Sequence, residues 1–315
     1  MKILIFVFLF FIGCEKQNDK VKIVQKEKQN IFVPKFDANR SWDYLITQTN
    51  FGPRNPNSVG HERTLQYLAN ELKLYADSIS LQTFYHTGYN EQLRLTNIFA
   101  SFNPQNKNRL LLLAHWDTRP RAENDPNPKL RLNPILGAND GASGVAVLLE
   151  IANQLKNNKL DFGVDILLVD GEDYGKPSDL ANYSIGAKHF VKTKSPTYQP
   201  KFAILLDMVG DADLQIPIEI NSLKFAPKLI QKIWNIAEEL NVHQFVKSPG
   251  NEIYDDHISL NESGIPTIDI IDFDYPNWHT SHDAPKSCSK NSLDAVGKVL
   301  LNFIYNLPFD EEFLK

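Results

Sequence analysis

The sequence predicts an α/β fold: a mixed, mostly parallel central sheet flanked by helices on both faces. Three observations carry this. Short unbroken apolar runs such as "LLLLA" and "ILLV" recur along the chain, as expected of strands covered on both faces. Segments with helical periodicity alternate with them, the mark of a parallel sheet with helices packed on it. Nearly every apolar run also ends on a histidine or a carboxylate.

Taken in order, Ser41 to Asn50 and Glu62 to Ala76 read as helices. In the second, Leu65, Leu68, Leu72 and Tyr75 recur at spacings of three and four, which lines one helical face. "SISLQTFYH" and "LRLTNIFASF" alternate like paired strands. "RLLLLAHWD" is a buried strand, and Asp140 to Asn157 is a helix with Ala, Val and Leu on one side. "VDILLVD" is a strand and Ser184 to Lys194 a helix. "FAILLDMVG" is a strand and Phe225 to Leu240 a helix. "TIDIIDF" is a strand, followed by a final helix from Ser292 to Asn306. No internal repeat or low-complexity tract interrupts the body.

The chain has 315 residues, 42% of them hydrophobic, which is enough for a large core. The net charge is −5 with Lys and Arg scattered, so no nucleic-acid footprint is expected. At the N-terminus Met1-Lys2 precedes "ILIFVFLFFIG". This run is too short to span a bilayer about 30 Å thick and fits the apolar core of a signal peptide. It ends in Phe11-Ile12-Gly13-Cys14, which resembles a bacterial lipobox, whose cysteine is lipidated. The expected organisation is a lipoprotein signal peptide over 1–13, a flexible polar tether over 14–37 and a single α/β catalytic domain over 38–315. The expected location is the cell envelope, lipid-anchored through Cys14 on the periplasmic side or at the outer membrane. A lipidated Cys14 leaves Cys288 without a partner, so the fold rests on its core.

In open α/β sheets, ligands bind beyond the carboxyl ends of the strands. His115 and Asp117 stand there, then Asp140, Glu172-Asp173, Asp207, and Trp278-His279. Carboxylates gather where a cation compensates them. Two histidines with several carboxylates and no nearby cysteine suit Zn²⁺, whereas Ca²⁺ prefers an all-oxygen cage.

The segments "AHWDTRP", "GANDGASGVAVLLE", "VDGEDYG", "LLDMVGD" and "WHTSHD" resemble, in order and rough spacing, the zinc exopeptidase clan with its aminopeptidase-like α/β fold. The resemblance covers roughly Ser41 to Leu307. Within the clan, "Asp255-Asp256-His257", "Trp278-His279-Thr280" and "AHWDTRP" are similar to the glutaminyl cyclases. That resemblance implies one zinc per chain, held by Asp140, Asp173 and His279, with Glu172 as acid/base. Neighbours in extended chain point to opposite sides, so one acid of the pair can reach the metal while the other faces substrate. It further implies that Asp255, in a polar network with Asp207, binds the leaving amide. Trp278, Tyr275 and Asp269 would bind substrate, Trp278 lining the pocket and Tyr275 forming an apolar wall, and His115 would stand close behind. His115 would otherwise serve a second metal. Vertebrate cyclases carry Glu where this chain has Asp173, and a disulfide near the site that this chain lacks.

The implied substrate is a peptide or protein with N-terminal glutamine, converted to pyroglutamate with release of ammonia; a monomer is the default expectation. The alternative within the clan is a di-zinc aminopeptidase using all five metal positions. Outside it stands a non-catalytic envelope binding protein on a decayed enzyme fold.

Overall fold

The structure, a computed structural model, describes residues 32–307. The expected signal peptide, Cys14 and most of the tether lie outside the described residues. The tether's last residues do not behave as one. Phe36 is buried, its ring 2.2 Å from where a Cβ on Gly297 would stand. Asp37 accepts hydrogen bonds from the amides of Asn39 and Arg40, capping the first helix. The folded body therefore begins before the expected boundary at residue 38, because an aromatic ring finds a cradle that only glycine leaves open.

Helices α1 (Ala38–Asn50) and α2 (Val59–Tyr75) come first. The hairpin strands β1 (Ser78–Gly88) and β2 (Glu91–Phe102) pair antiparallel, as their alternation predicted. Then follow β3 (Arg109–His115), α3 (Ala142–Asn157), β4 (Gly163–Val169), α4 (Ile185–Thr193) and β5 (Phe202–Asp207). After these come β6 (Ile216–Ile218), α5 (Ile220–Phe225), α6 (Pro227–Glu239) and β7 (Phe245–Pro249). The chain closes with α7 (Asp256–Glu262), β8 (Thr267–Ile271) and α8 (Lys290–Tyr305). No helix among the described residues is long and apolar enough to cross a membrane.

The main sheet has the order β1-β2-β4-β3-β5-β8. β4, β3, β5 and β8 run parallel, and β2 joins β4 antiparallel. The unbroken apolar runs divide cleanly between the faces. Leu110, Leu112 and Ala114 of β3 enter a core with α1, α2, α3, α6 and α8. Leu111 and Leu113 enter a second core with Ala187 and Phe190 of α4 and Leu260 of α7. Period-two alternation on a doubly covered strand demands apolar residues at every position. One polar residue inside a strand is fully used: Asp165 of β4 takes Arg109 Nε at 2.7 Å, Ser101 Oγ at 2.6 Å and Tyr198 Oη at 2.8 Å.

β3 lies between β4 and β5. The chain leaves it in one direction to form β4 and returns on its other side as β5. Such a reversal opens a crevice at the carboxyl ends of the strands. His115 ends β3 level with Val169 of β4, and Asp207 ends β5 level with Ile271 of β8.

Candidate metal centre and catalytic cavity

Loops at that crevice carry the chemistry, and each is pinned by its own sequence. Asp140 stands two residues before α3, whose N-cap is Gly141 with φ +100°. A Cβ at Gly141 would lie 2.4 Å from the carbonyl oxygen of Asp117, so only glycine fits. Asp140 thus does not cap the helix. The carboxylate of Asp283 holds its backbone instead, accepting the amides of Asn139 at 2.8 Å and Asp140 at 3.1 Å. Beyond β4, Asp117 accepts the amides of Glu172 at 3.1 Å and Asp173 at 3.3 Å, fixing the acidic pair. His279 sits in the left-handed region with φ +55°, a strain that surrounding structure must sustain.

Three of the residues expected to hold zinc converge. Asp140, Asp173 and His279 are all buried and can each place a ligand atom within 4.8 Å of the others. His279 Nε2 lies 3.2 Å from Asp173 Oδ1 and 3.7 Å from Asp140 Oδ2. Ligands ~2.1 Å from a tetrahedral zinc stand roughly 3.4 Å apart, so these spacings fit the ion. Asp140 Oδ2 and Asp173 Oδ2 are buried without a hydrogen-bond partner, as groups awaiting a cation would be. Burial and the charge of Asp173 push the Asp140 carboxyl up to about 7, despite His115. Burial would raise Asp173 too, but His279 and Arg119 hold it below the usual carboxylate range. Burial opposes protonation of His279, yet Asp173 and Glu123 bring it up to about 9. A bound cation takes the place of that proton.

A second group shares Asp140. His115 Nε2 lies 3.2 Å from Asp140 Oδ1 and 3.1 Å from Asp207 Oδ1. It too could hold an ion; here the imidazole hydrogen-bonds Asp207. Asp207's hydrogen bond thus goes to His115, and it acts on Asp255 through charge. Burial and that charge push Asp255 up to about 6. Asp255 also caps α7, accepting the amide of Asp256 at 2.5 Å.

Three acids lie within "DGED". Asp170 turns away and is consumed by structure: it binds His61 Nε2 at 2.9 Å and accepts the amide of Thr96 at 2.6 Å. Asp173 joins the metal group. Glu172 faces a cavity of about 70 Å³ that Asp140, Asp173, Asp207, Asp255, Trp278 and His279 also border. Burial, then the charges of Asp255 and Asp173, raise the Glu172 carboxyl well above its ordinary range. A carboxyl so raised holds a proton more readily than an exposed one, which suits a group that must take and return one. The Trp278 ring stacks on His279 at 3.9 Å.

Two expectations fail. Tyr275 is no pocket wall: it is buried, and its hydroxyl donates to Asp283 Oδ1 at 3.0 Å, supporting the loop that carries Asp140. Asp269 does not reach substrate. It is buried on β8 behind the cavity, 3.7 Å from His257 Nδ1. Other residues proved important without being singled out. Arg119, wholly buried, donates Nη1 to Asp173 Oδ1 at 2.9 Å and Nε to Glu123 Oε1 at 2.7 Å. Glu123 Oε1 also stands 3.5 Å from His279 Nδ1. Burial would raise Glu123, but His279 and Arg119 bring it down to about 2. Metal-binding histidines commonly rest their second nitrogen on such a carboxylate. The only sequence signal was the four-residue spacing of Arg119 and Glu123 beside "AHWDTRP".

Known proteins share this fold. The chain is similar to a glutaminyl cyclase of Bacteroides thetaiotaomicron solved with N-acetylhistamine. The two are 39% identical, covering 88% of this chain and 100% of that one, with a TM-score of 0.85. It is equally similar to a protein of the same organism named a leucine aminopeptidase precursor, at 39% identity, 88% and 100% coverage and a TM-score of 0.86. Among curated proteins it matches the glutaminyl-peptide cyclotransferase of Bothrops jararaca, 27% identical over 80% of this chain and 76% of the relative. The pattern of peptidase family M28 spans residues 97–304. The chain belongs to peptidase family M28 and, within it, to the glutaminyl cyclases.

Proposed function

We propose that this protein is a zinc-dependent glutaminyl-peptide cyclotransferase, converting N-terminal glutamine to pyroglutamate with release of ammonia. One observation supports it above others: a single small cavity is bordered by Asp140, Asp173 and His279 together with Glu172, Asp255 and Trp278. Asp140, Asp173 and His279 would hold one zinc per chain. That ion supplies Lewis acidity toward the γ-carbonyl oxygen. The unpartnered oxygens of Asp140 and Asp173 support placing that ion in this group.

The glutamine α-amine attacks its own Cδ, forming the lactam C–N bond as the carboxamide C–N bond breaks. Glu172 takes a proton from the amine and gives it to the departing nitrogen, which leaves as ammonia. Asp255 accepts a hydrogen bond from the leaving amide. Trp278 closes one wall and keeps the side chain folded toward its amine. The nucleophile is tethered to its target, so orientation supplies much of the acceleration.

A di-zinc aminopeptidase is the second reading, favoured by the second metal-competent group around Asp140. A glutamine-initiated peptide separates the two. Ammonia release with a peptide otherwise intact is expected. A freed amino acid, with about two zincs per chain, would establish the peptidase instead.

The enzyme is further proposed to act as a monomer in the cell envelope, anchored through a lipid on Cys14. Cys14→Ser should move it from the membrane to the soluble fraction. An unchanged membrane share would remove the anchor.

A further inference from the structure

We infer that the enzyme reads the residue after the N-terminal glutamine through an apolar groove outside the catalytic cavity, walled by Leu180 and Tyr254. The inference rests on the cyclotransferase reading. The inner cavity measures about 70 Å³, and beyond it lies a groove of about 420 Å³. Tyr183, Ile253, Tyr254, Phe273 and Trp278 border both. A cyclising glutamine spends its side chain and α-amine inside. Its carbonyl and everything after it must leave past that common wall.

The groove is built rather than incidental. Leu180 is 50% exposed and Tyr254 39% exposed, so two large apolar groups are left in water beside the exit. One cation links the backbone of Leu180 to the ring of Tyr254. Lys188 of α4 donates Nζ to the carbonyls of Leu180 at 2.5 Å and Tyr183 at 2.6 Å. The same ammonium lies 5.4 Å from the Tyr254 ring centroid, within cation–π reach. Glu219 accepts the amide of Ile253, next to Tyr254 in the chain, at 3.0 Å. Walls held this way need no ordering when substrate arrives, which favours binding. Glu252 stands at the same groove and repels an acidic residue. The ligand class is therefore a peptide whose second residue is aliphatic or aromatic, with glycine weaker and aspartate weakest.

The test measures kcat/KM for glutamine amide and for Gln-Leu, Gln-Phe, Gln-Gly and Gln-Asp peptides identical thereafter. The wild type, Leu180→Ser and Leu180→Phe are compared. In the wild type, Leu and Phe should exceed Gly by about tenfold, the size of a small apolar pocket contact, with the difference in KM. Leu180→Ser should bring that ratio near unity, and Leu180→Phe should keep it. A flat wild-type profile would overturn the groove, as would a Leu180→Ser variant that keeps the ratio. Failure to cyclise glutamine amide would instead remove the cyclotransferase reading and the groove with it. Normal turnover of the amide with a flat second-residue profile removes the groove alone.

Discussion

Replacing Glu123 by Gln tests how the metal group is held. Its Oε1 stands 3.5 Å from His279 Nδ1 and accepts Arg119 Nε at 2.7 Å, with Arg119 Nη2 also bound to it. Arg119 in turn donates to Asp173 at 2.9 Å. One carboxylate therefore orients two of the three residues assigned to zinc. Glutamine keeps the shape but loses the charge. The imidazole becomes less basic and freer to rotate, and the buried guanidinium pulls harder on Asp173, competing with the ion. Loss of such an outer partner typically costs 10–100-fold in metal affinity, or about 1.4–2.8 kcal/mol. Competition with a chromophoric chelator reads the zinc affinity directly, and circular dichroism checks the fold. A zinc affinity within about twofold of wild type, in a folded variant, would refute the supporting role of Glu123.

The ligands themselves should behave more severely: Asp140→Ala and His279→Ala are expected to lose zinc on dialysis, and full metal with full activity in either would overturn the assignment. Away from the metal, Glu219 accepts the amides of Asn221, Ser222 and Ile253. Burial would raise its carboxyl, but His257, the Ile253 amide and the Ser222 hydroxyl bring it down from 4.5 to about 2. A depressed folded-state pKa means stability fully present above pH 4.5 and lost as pH falls toward 2. The stability advantage of wild type over Glu219→Gln, on the order of 3 kcal/mol at neutral pH, should shrink through that window in urea melts. An advantage that grows on acidification would contradict the sign.

Much of this was legible because it is local. "RLLLLAHWD" states a doubly covered strand and the histidine at its end in nine letters, and the structure places both where the pattern put them. Strand ends in such a sheet point to one edge, so the acids and imidazoles of the crevice were readable together, while the choice of three among them came from the family resemblance. Short elements escaped. α5 and α7 are six and seven residues long, less than two helical turns, so no periodicity can announce them. The strands β6 and β7 pair with each other outside the main sheet and lack long apolar runs. Residues acting through other residues also escaped. Glu123 and Asp283 look like ordinary loop acids, and only the fold shows whose amide or imidazole each one meets. The same limit explains Tyr275, which stands near Trp278 in sequence but spends its hydroxyl on Asp283. Phe36 shows it at the domain's edge, where nothing in "IFVPKFD" gave a sign of Gly297.

Glu172→Gln is the sharpest test of the account. Zinc content and turnover of a glutamine-initiated peptide should be measured on the same preparation. The account predicts that metal stays at the wild-type level while turnover falls by about 10²–10⁴, the usual worth of a positioned proton carrier. Loss of the metal would make Glu172 a ligand, and undiminished turnover would leave the proton without its carrier. Either result contradicts the mechanism.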